Sequence, residues 1–241
     1  MMEKRRSEVK NALQDALAVM NIALDETAVE KLLDYDALLL EGNAVMNLTA
    51  LTEPKDVAKK HFADSLLPLC FDVIPPNAEV IDVGTGAGFP GLVLGIARPD
   101  IRLTLLDATR KRVNFLLDCC EKLGVTAECI HARAEDAARF PDLRDGFDVA
   151  VSRAVASAAE LCELTLPFVR SGGRSLCYKG GAGREEFAAA SRALQSLKGN
   201  VDRIEEIRLP WGERSLICIK KTASTPRAYP RKPGIPHGQP L

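Results

Sequence analysis

The feature that most constrains this chain is a short apolar run ending in a glycine-rich turn, VIDVGTGAGFPG, at residues 80–91. A buried strand that turns so sharply into a helix is typical of proteins that hold an adenosine-bearing cofactor against their backbone. Gly86, Gly88 and Gly91 match the dinucleotide fingerprint, and Asp107 follows about twenty residues later. An acid at that strand end holds ribose hydroxyls in NAD and in S-adenosylmethionine alike, so Asp107 does not discriminate between them.

Asp82 favours S-adenosylmethionine, because it stands where the pyrophosphate of a dinucleotide would lie. A carboxylate would repel that dianion in a poorly solvated cleft, whereas it would attract the ammonium and sulfonium of the methyl donor. Gly84, Gly86 and Gly88 would let the backbone turn and approach the donor without a Cβ in the way. An ordinary tight strand-to-helix turn is the alternative interpretation.

The pattern along the chain predicts an α/β fold. Short apolar runs alternate with amphipathic segments from residue 78 onwards, which indicates βαβ units and a buried, mainly parallel sheet. Residues 1–70 read as a helical extension, with a capping box at Thr27 and Glu30. We therefore expect a helical extension at 1–70, the main domain at 71–221, and a basic, proline-rich tail at 222–241 that is an arm rather than a packed element. The predicted strands are AEVIDV, IRLTLLD, TAECIHA, FDVAVS, GGRSLCYKG, RIEEIRLP and SLICIKK.

Composition limits the setting of the protein. The chain has 241 residues and a net charge of −1, which is not the balance of a strongly basic nucleic-acid binder. It has no apolar run of about 18 residues and no signal-peptide core at its N-terminus, so we expect a cytoplasmic protein without a membrane span. The seven cysteines form no metal-binding pattern, and we expect no metal. They read as reduced structural thiols, although the adjacent Cys119 and Cys120 leave a redox role open.

Several motifs occur together in one order, and they resemble one family. The chain is similar to the bacterial small-subunit (16S) ribosomal RNA guanine-N7 methyltransferases, the glucose-inhibited division protein B family, over about residues 32–220. The glycine loop is generic to methyltransferases, but its continuation FPG and three further motifs are specific. The motifs are NLTAL (47–51), HFADSLLPL (61–69), DVGTGAGFPG (82–91), LLDATRKRVNFL (105–116), RAE (133–135), SRAVAS (152–157) and YKGG (178–181).

The resemblance implies a class I S-adenosylmethionine-dependent methyltransferase with a Rossmann-like, seven-stranded sheet. It also implies methyl transfer to N7 of a guanine, with 16S ribosomal RNA or the small subunit as partner, and we expect a monomer. Asp82 and Asp107 follow from the class I pattern. Carried over by motif, the other cofactor contacts fall on Gly84, Phe89, Ala134, Glu135 and Arg153. Phe89 replaces the leucine of many members, which should only reshape an apolar wall.

The expected chemistry needs alignment rather than acid–base catalysis. Guanine N7 has a free in-plane lone pair and no proton to lose, so we expect no general base. Asn47, His61, Asp64 and Ser65 are the candidates for the substrate mouth, because positions 61, 64 and 65 share a helix face. Asp64 would accept from guanine N1–H and N2–H, and a hydrogen-bond network between helix and domain is the equal alternative.

Two rival functions and a role for the tail remain open. The chain could be a small-molecule methyltransferase or dehydrogenase using the same loop, or a ribosome-assembly factor with a vestigial pocket. We expect the tail to contact RNA phosphates and not to affect donor affinity. The cations expected at the RNA surface are Lys59, Lys60, Arg110, Lys111, Arg112, Lys179, Lys220, Lys221, Arg227, Arg231 and Lys232.

Overall fold

One seven-stranded sheet organises the protein, for which a computed structural model describes residues 2–153 and 156–241. The strand order is β3-β2-β1-β4-β5-β7-β6. The strands are β1 (Glu79–Val83), β2 (Arg102–Asp107), β3 (Ala127–His131), β4 (Phe147–Arg153), β5 (Val169–Lys179), β6 (Gly199–Leu209) and β7 (Gly212–Lys221).

The sheet is mainly parallel. In β1, Val80 pairs with Leu103 of β2 and with Val149 of β4, both in parallel register. Strand β7 alone runs against its neighbours, β5 and β6. Strands β1 and β4 are neighbours, and the strands that follow them in the chain are added on opposite sides, β2 and β3 beside β1 and β5 beside β4. This reversal of strand order opens a crevice at the carboxyl ends of β1 and β4. The predicted mainly parallel α/β sheet of class I methyltransferases is confirmed.

Ten α-helical segments surround the sheet in the part of the chain that the structure describes. None of them combines the length and apolarity that a bilayer crossing needs. Single turns of π-helix at Val57–Ala63 and of 3-10 helix at Leu67–Cys70 and Leu166–Phe168 complete the set. The helices are α1 (Met2–Met20), α2 (Glu26–Met46), α3 (Pro54–Asp56), α4 (Gly91–Ala97), α5 (Arg110–Leu123), α6 (Ala134–Ala137), α7 (Ala158–Thr165), α8 (Gly183–Ala189), α9 (Ser191–Leu197) and α10 (Ile235–Gly238).

The two faces of the sheet bury different helices, because successive strand residues point to opposite sides. Val80 belongs to a cluster that also contains most of the buried apolar residues of α1, α2, α4 and α5. Its neighbour Ile81 packs on the other side with Phe147 and Phe168. Cys119 and Cys120 are both buried in the first cluster, and burial raises the pKa of the Cys119 thiol to about 12. A thiol with this pKa is not a redox nucleophile at neutral pH.

The beginning and end of α2 differ from the prediction. Asp25, and not Thr27, is the N-cap, since its side chain accepts from the backbone N of Ala28 at 2.7 Å. The segment EGNAVMNLTAL (41–51) interrupts the helical pattern of the sequence, but the helix continues through its first six residues to Met46, and the C-cap Asn47 has a left-handed φ of 50°. The capping-box pattern misled because Asp25, two residues earlier, is an equally good cap.

The expectation of an unpacked C-terminal arm is wrong. Thr225 and Pro230 are buried, and Tyr229 packs against the cluster formed by α7, α8 and α9. Arg144 donates to the carbonyl oxygens of Thr225 at 2.7 Å and Tyr229 at 3.1 Å. A proline-rich composition does not prevent packing when the backbone carbonyls find donors elsewhere in the chain.

Candidate functional site

The glycine loop leaves β1 at the crevice and is tied to the end of β2. The backbone N of Gly84 and of Thr85 both donate to Leu106 O, at 2.9 and 3.1 Å. The N–H of Gly86 donates to Asp107 Oδ2 at 2.9 Å. Gly84 and Gly86 have φ values of 72° and 63°, in the left-handed region that glycine adopts without strain. A Cβ on Gly86 would meet nothing within 4 Å, so this turn faces open space.

Asp107 is held rigidly at the edge of that space. It is almost fully buried, with 4% exposure. Besides Gly86, its other oxygen, Oδ1, accepts from the backbone N of Thr109 at 2.7 Å. Each carboxylate oxygen has a second lone pair, so the two backbone donors fix its orientation and leave acceptor capacity. This is the arrangement that recognition of a diol requires.

A cavity of about 280 Å³ lies at this point, at the carboxyl ends of β1, β2 and β3. We call it the strand-end cavity. Asp107, Ala134 and Glu135, which the sequence singled out, all line it. Its complete lining is Val83, Gly84, Leu106, Asp107, Ala108, Ala132, Arg133, Ala134, Glu135, Glu160, Leu164, Gly234 and His237. Apolar walls with a few acids are typical of a small-molecule site.

Asp82 lies behind the loop rather than in the cavity. It has no exposed surface, and its Oδ2 accepts from the backbone N of Gly91 at 2.7 Å. Its Oδ1 has no hydrogen-bond partner among the described residues. Burial raises the pKa of Asp82 to about 7. Asp82 therefore holds the start of α4, and a cation in the crevice would act on its charge through space.

Gly88 serves helix packing rather than a ligand. A Cβ at this position would lie 2.6 Å from the hydroxyl of Tyr35 and 3.0 Å from Leu116. The Tyr35 hydroxyl, which belongs to α2, donates to the carbonyl oxygen of Ala87. The third glycine is thus needed because the N-terminal helices press on the loop from outside.

Phe89 continues this packing layer. Its ring stacks on that of His61, with centroids 4.3 Å apart and planes within 7°. It also lies 5.5 Å from the ring of Tyr35, and the guanidinium carbon of Arg153 lies 5.2 Å above it. Phe89 is 7% exposed, so its main role in this structure is to join the glycine loop to the helical extension.

Arg153 occupies the end of β4 between the loop and the N-terminal helices. Its guanidinium donates to neutral groups in the described part of the chain: Lys60 O at 3.1 Å, Ser65 Oγ at 3.3 Å and His61 Nδ1 at 3.4 Å. Burial lowers its pKa from the ordinary value of 12.5. A buried cation bonded to neutral groups keeps a strong attraction for an anion. The next two residues of the SRAVAS motif, Ala154 and Val155, lie outside the described residues.

His61 is a neutral side chain. Burial, and then the charge of Arg153, lower its pKa to about 4. Because an arginine only donates, Nδ1 is the acceptor and the hydrogen is on Nε2, a nitrogen that lies 2.8 Å from Thr49 Oγ1. The imidazole therefore positions the NLTAL segment against the glycine loop.

A second cavity of about 400 Å³ opens at Arg153, and we call it the outer cavity. Four of its residues are cationic: Lys60, Arg153, Lys179 and Arg214. Leu51, Asp64, Leu67, Tyr178 and Gly180 complete the lining. A basic, partly apolar recess of this kind suits an aromatic base with its phosphates.

The four candidates for the substrate mouth separate in the structure. Asp64 lines the outer cavity, but its oxygens accept from Trp211 Nε1 at 2.8 Å and Arg214 Nε at 2.7 Å. Ser65 is fully buried and donates to His61 O at 2.6 Å. Asn47 is exposed at the end of α2. The helix-to-domain network is therefore present at Asp64, which is the one of the four candidates among the lining residues of the outer cavity.

Sequence reasoning missed the partners that come from distant parts of the chain. Trp211 and Arg214 lie near the β6–β7 turn, and Tyr178 donates from β5 to Ser65 O at 2.8 Å. Gly234 and His237 reach the strand-end cavity from the C-terminal segment. Thr49 and Tyr178 had a sequence signal, as parts of the NLTAL and YKGG motifs.

Comparison with known proteins identifies the family. The family model GidB, described as rRNA small subunit methyltransferase G, matches residues 28–217. A protein named ribosomal RNA small subunit methyltransferase G from Alkaliphilus oremlandii (strain OhILAs) is 43% identical over 97% of this chain and 99% of its own length. The protein of that name from Moorella thermoacetica (strain ATCC 39073 / JCM 9320) is 46% identical over 86% of this chain and 88% of its own.

Solved structures agree with the fold. A methyltransferase from Pyrococcus furiosus superposes with a TM-score of 0.53, at 14% identity, over 78% of this chain and 98% of that one. The branched-chain polyamine synthase from Thermus thermophilus gives a TM-score of 0.56, at 14% identity, over 80% of this chain and 64% of that one. At this identity the likeness concerns the fold alone. The family model and the relatives confirm the resemblance drawn from the motifs: this chain belongs to the GidB family, rRNA small subunit methyltransferase G.

Proposed function

We propose that this methyltransferase uses the strand-end cavity for S-adenosylmethionine and the outer cavity for a guanine of 16S ribosomal RNA, which it methylates at N7. The observation that carries the proposal is a pair of separate cavities: the strand-end cavity contains an oriented acid, and the outer cavity is lined by four cations. An adenosine needs the first environment, and an RNA base with its phosphates needs the second.

The residues of the strand-end cavity fit the donor. Asp107, oriented by Gly86 and Thr109, would accept from the ribose hydroxyls. Ala134 and Glu135 would contact the adenine, and the open space at Gly86 would take the backbone-facing side of the donor. The unpartnered, buried Oδ1 of Asp82 supplies a negative potential behind the loop, which favours a positively charged ligand. When bound, S-adenosylmethionine supplies an electrophilic methyl group on a cationic sulfur.

The chain's own part in the reaction is to position the guanine. N7 has an available lone pair, so no residue needs to remove a proton before transfer. His61 matches this requirement, because a neutral imidazole with a pKa of about 4 that is committed to Thr49 and Arg153 is a weak general base. Arg153 would bind the donor's carboxylate or an RNA phosphate, and Lys60, Lys179 and Arg214 would attract the RNA backbone.

Transfer of tritium from methyl-labelled S-adenosylmethionine tests this function. We expect label in 16S ribosomal RNA, supplied either naked or in intact small subunits, and comparing the two substrates shows which form the enzyme accepts. Asp107→Ala should lower the incorporation of label at least tenfold, because it weakens the binding of S-adenosylmethionine. Charge-assisted hydrogen bonds of the kind that it removes contribute about 1.5–3 kcal/mol each. Donor binding without label in either RNA would instead indicate an assembly factor, and label in a small molecule would indicate the other rival.

A further inference from the structure

The C-terminal segment forms part of the wall of the strand-end cavity. Gly234 and His237 line the cavity together with Asp107 and Glu135, although more than 90 residues separate the segment from these acids. The backbone N of Gly234 donates to Glu135 Oε1 at 3.0 Å. His237 Nδ1 lies 3.3 Å from both carboxylate oxygens of Glu160, at the start of α7. Two cavity acids are thus engaged by the last ten residues of the chain.

An ion pair with a buried carboxylate anchors this segment just before it reaches the cavity. Glu163 in α7 has no exposed surface. It accepts from the backbone N of Arg231 at 2.7 Å, and from Nε at 3.0 Å and Nη2 at 2.7 Å of the same residue. Arg139 and Arg144 hold the preceding turn by its carbonyl oxygens. A bidentate pair between the half-buried Arg231 and a fully buried carboxylate fixes the position of the chain on either side of it.

We infer that residues 225–238 are a strap that completes the donor site on its adenosine side. The inference rests on the proposed function, because it assigns adenosine to the strand-end cavity. The strap engages Oε1 of Glu135 and so orients the carboxylate, whose Oε2 lies 3.7 Å from Arg133 Nε. It also shields the cavity from water on one side. A wall that is already in place reduces the ordering cost of binding, so donor affinity depends on the anchor at Arg231.

Calorimetry with S-adenosylhomocysteine in the absence of RNA tests the strap. Ending the chain after Lys221, or the substitution Arg231→Ala, should lower the affinity for S-adenosylhomocysteine at least tenfold. The double variant Arg231→Ala/Glu163→Gln removes the unpaired buried charge as well, and it should show the same loss while remaining folded. Arg227→Ala and Lys232→Ala are the controls, since both residues are exposed cations of the same segment. Their affinities should stay within twofold of wild type.

Hydrogen exchange distinguishes the strap from an anchor that only stabilises the fold, because only a strap at the ligand would change its exchange rates when S-adenosylhomocysteine binds. Adding S-adenosylhomocysteine should slow exchange of the backbone amides of Gly234, Ile235, His237 and Gly238 and leave those at 222–224 unchanged, and Arg231→Ala should abolish the slowing. Affinities of the truncated and Arg231 variants within threefold of wild type would overturn the strap, as would exchange at those four amides that ignores the ligand. Failure of the wild-type protein to bind either S-adenosylmethionine or S-adenosylhomocysteine would overturn the proposed function instead.

Discussion

At the scale of single residues, Asp82 shows how a motif position can act without touching a ligand. The sequence placed this acid next to the donor, whereas the side chain is sealed behind the loop with one unpartnered oxygen. The argument that a carboxylate at this position attracts a cationic donor still holds, because electrostatic attraction acts through space. Its burial, however, could not be read from the sequence, since burial depends on how α4 packs over the strand end.

The raised pKa of Asp82 predicts a specific pH dependence of stability. The folded-state pKa of about 7 lies above the ordinary value of 3.8, so the native state binds the proton more tightly than the unfolded state. The carboxyl therefore contributes stability below pH 3.8 that is lost as the pH rises towards 7, with a slope of up to about 1.4 kcal/mol per pH unit. Asp82→Asn should remove this slope.

Urea unfolding of both proteins at several pH values checks this prediction. The advantage of Asp82→Asn over wild type should grow between about pH 4 and 7 and then level off. A difference that stays constant across this range would show that Asp82 ionises normally in the native state.

Gly86 predicts a local effect on the donor. Gly86→Asp would place a side chain and a negative charge in the open space of the loop, so we expect the affinity for S-adenosylmethionine to fall more than tenfold, or about 1.4 kcal/mol. Gly172→Asp is the matched control, because its φ of 86° and open surroundings impose the same strain far from the cavity. If calorimetry gave equal affinities of the two variants for S-adenosylmethionine, the glycine loop would not be part of the donor site.

His61 predicts a flat pH profile for the transfer step. At saturating donor and RNA, the single-turnover rate should change little between about pH 6.5 and 8.5, because the imidazole is already neutral and N7 loses no proton. The two positive charges of the bound donor favour the ionised form of Asp82, so titration of this carboxyl should not make the transfer rate depend on pH in this range. A rising limb that disappears in His61→Ala would identify a histidine base.

At the scale of elements, the N-terminal helices emerge as a brace for the glycine loop. Tyr35 of α2 bonds to Ala87 O, packs against Phe89, and sits where a Cβ on Gly88 would clash. The sequence predicted a helical extension at 1–70, but it could not show which part of the main domain these helices contact. The pairing of an α2 hydroxyl with a loop carbonyl spans 52 positions and follows no local pattern.

Tyr35→Phe should therefore affect both stability and donor binding. It leaves the carbonyl of Ala87 without its donor, at a cost of about 1–3 kcal/mol in unfolding free energy, and the affinity for S-adenosylhomocysteine should fall with it. Lys31→Ala is the control from the preceding turn of α2, because it removes an exposed contact to Gly124 O away from the loop. Lower stability with unchanged product affinity in Tyr35→Phe would show that the helices do not brace the site.

At the scale of the whole molecule, the sequence predicted the topology well and the cationic surface less well. Strand periodicity and the glycine turn are local signals, so the sheet and the positions of Asp107 and Glu135 could be read directly. Charge pairing is a tertiary property. Lys221, expected at the RNA surface, is fully buried and donates to Leu166 O, Val169 O and Asp145. Arg231 pairs with buried Glu163, which leaves Arg227 and Lys232 as exposed cations of the tail.

The difference between local composition and tertiary charge pairing also explains why the tail packs although its sequence predicted an arm. Its composition indicated an arm for RNA, because prolines and cations without acids rarely build a core. The acids that hold it, Glu135, Glu160 and Glu163, lie in α6 and α7, about 70 to 100 residues earlier in the chain. Donor affinity is accordingly expected to depend on this segment, contrary to the expectation from the sequence.

The measurement that tests the central claim most directly is methyl transfer to 16S ribosomal RNA transcribed with 7-deazaguanosine triphosphate in place of GTP. The substitution replaces the attacking nitrogen by carbon and leaves the other base-pairing groups unchanged. The RNA is supplied in whichever form, naked or reconstituted into subunits, the enzyme accepts with ordinary guanine. We predict competitive binding with an affinity within about threefold of ordinary RNA, and no incorporation of labelled methyl. Incorporation at the level of ordinary RNA would contradict the account, because the methyl group would then be going to an atom other than N7.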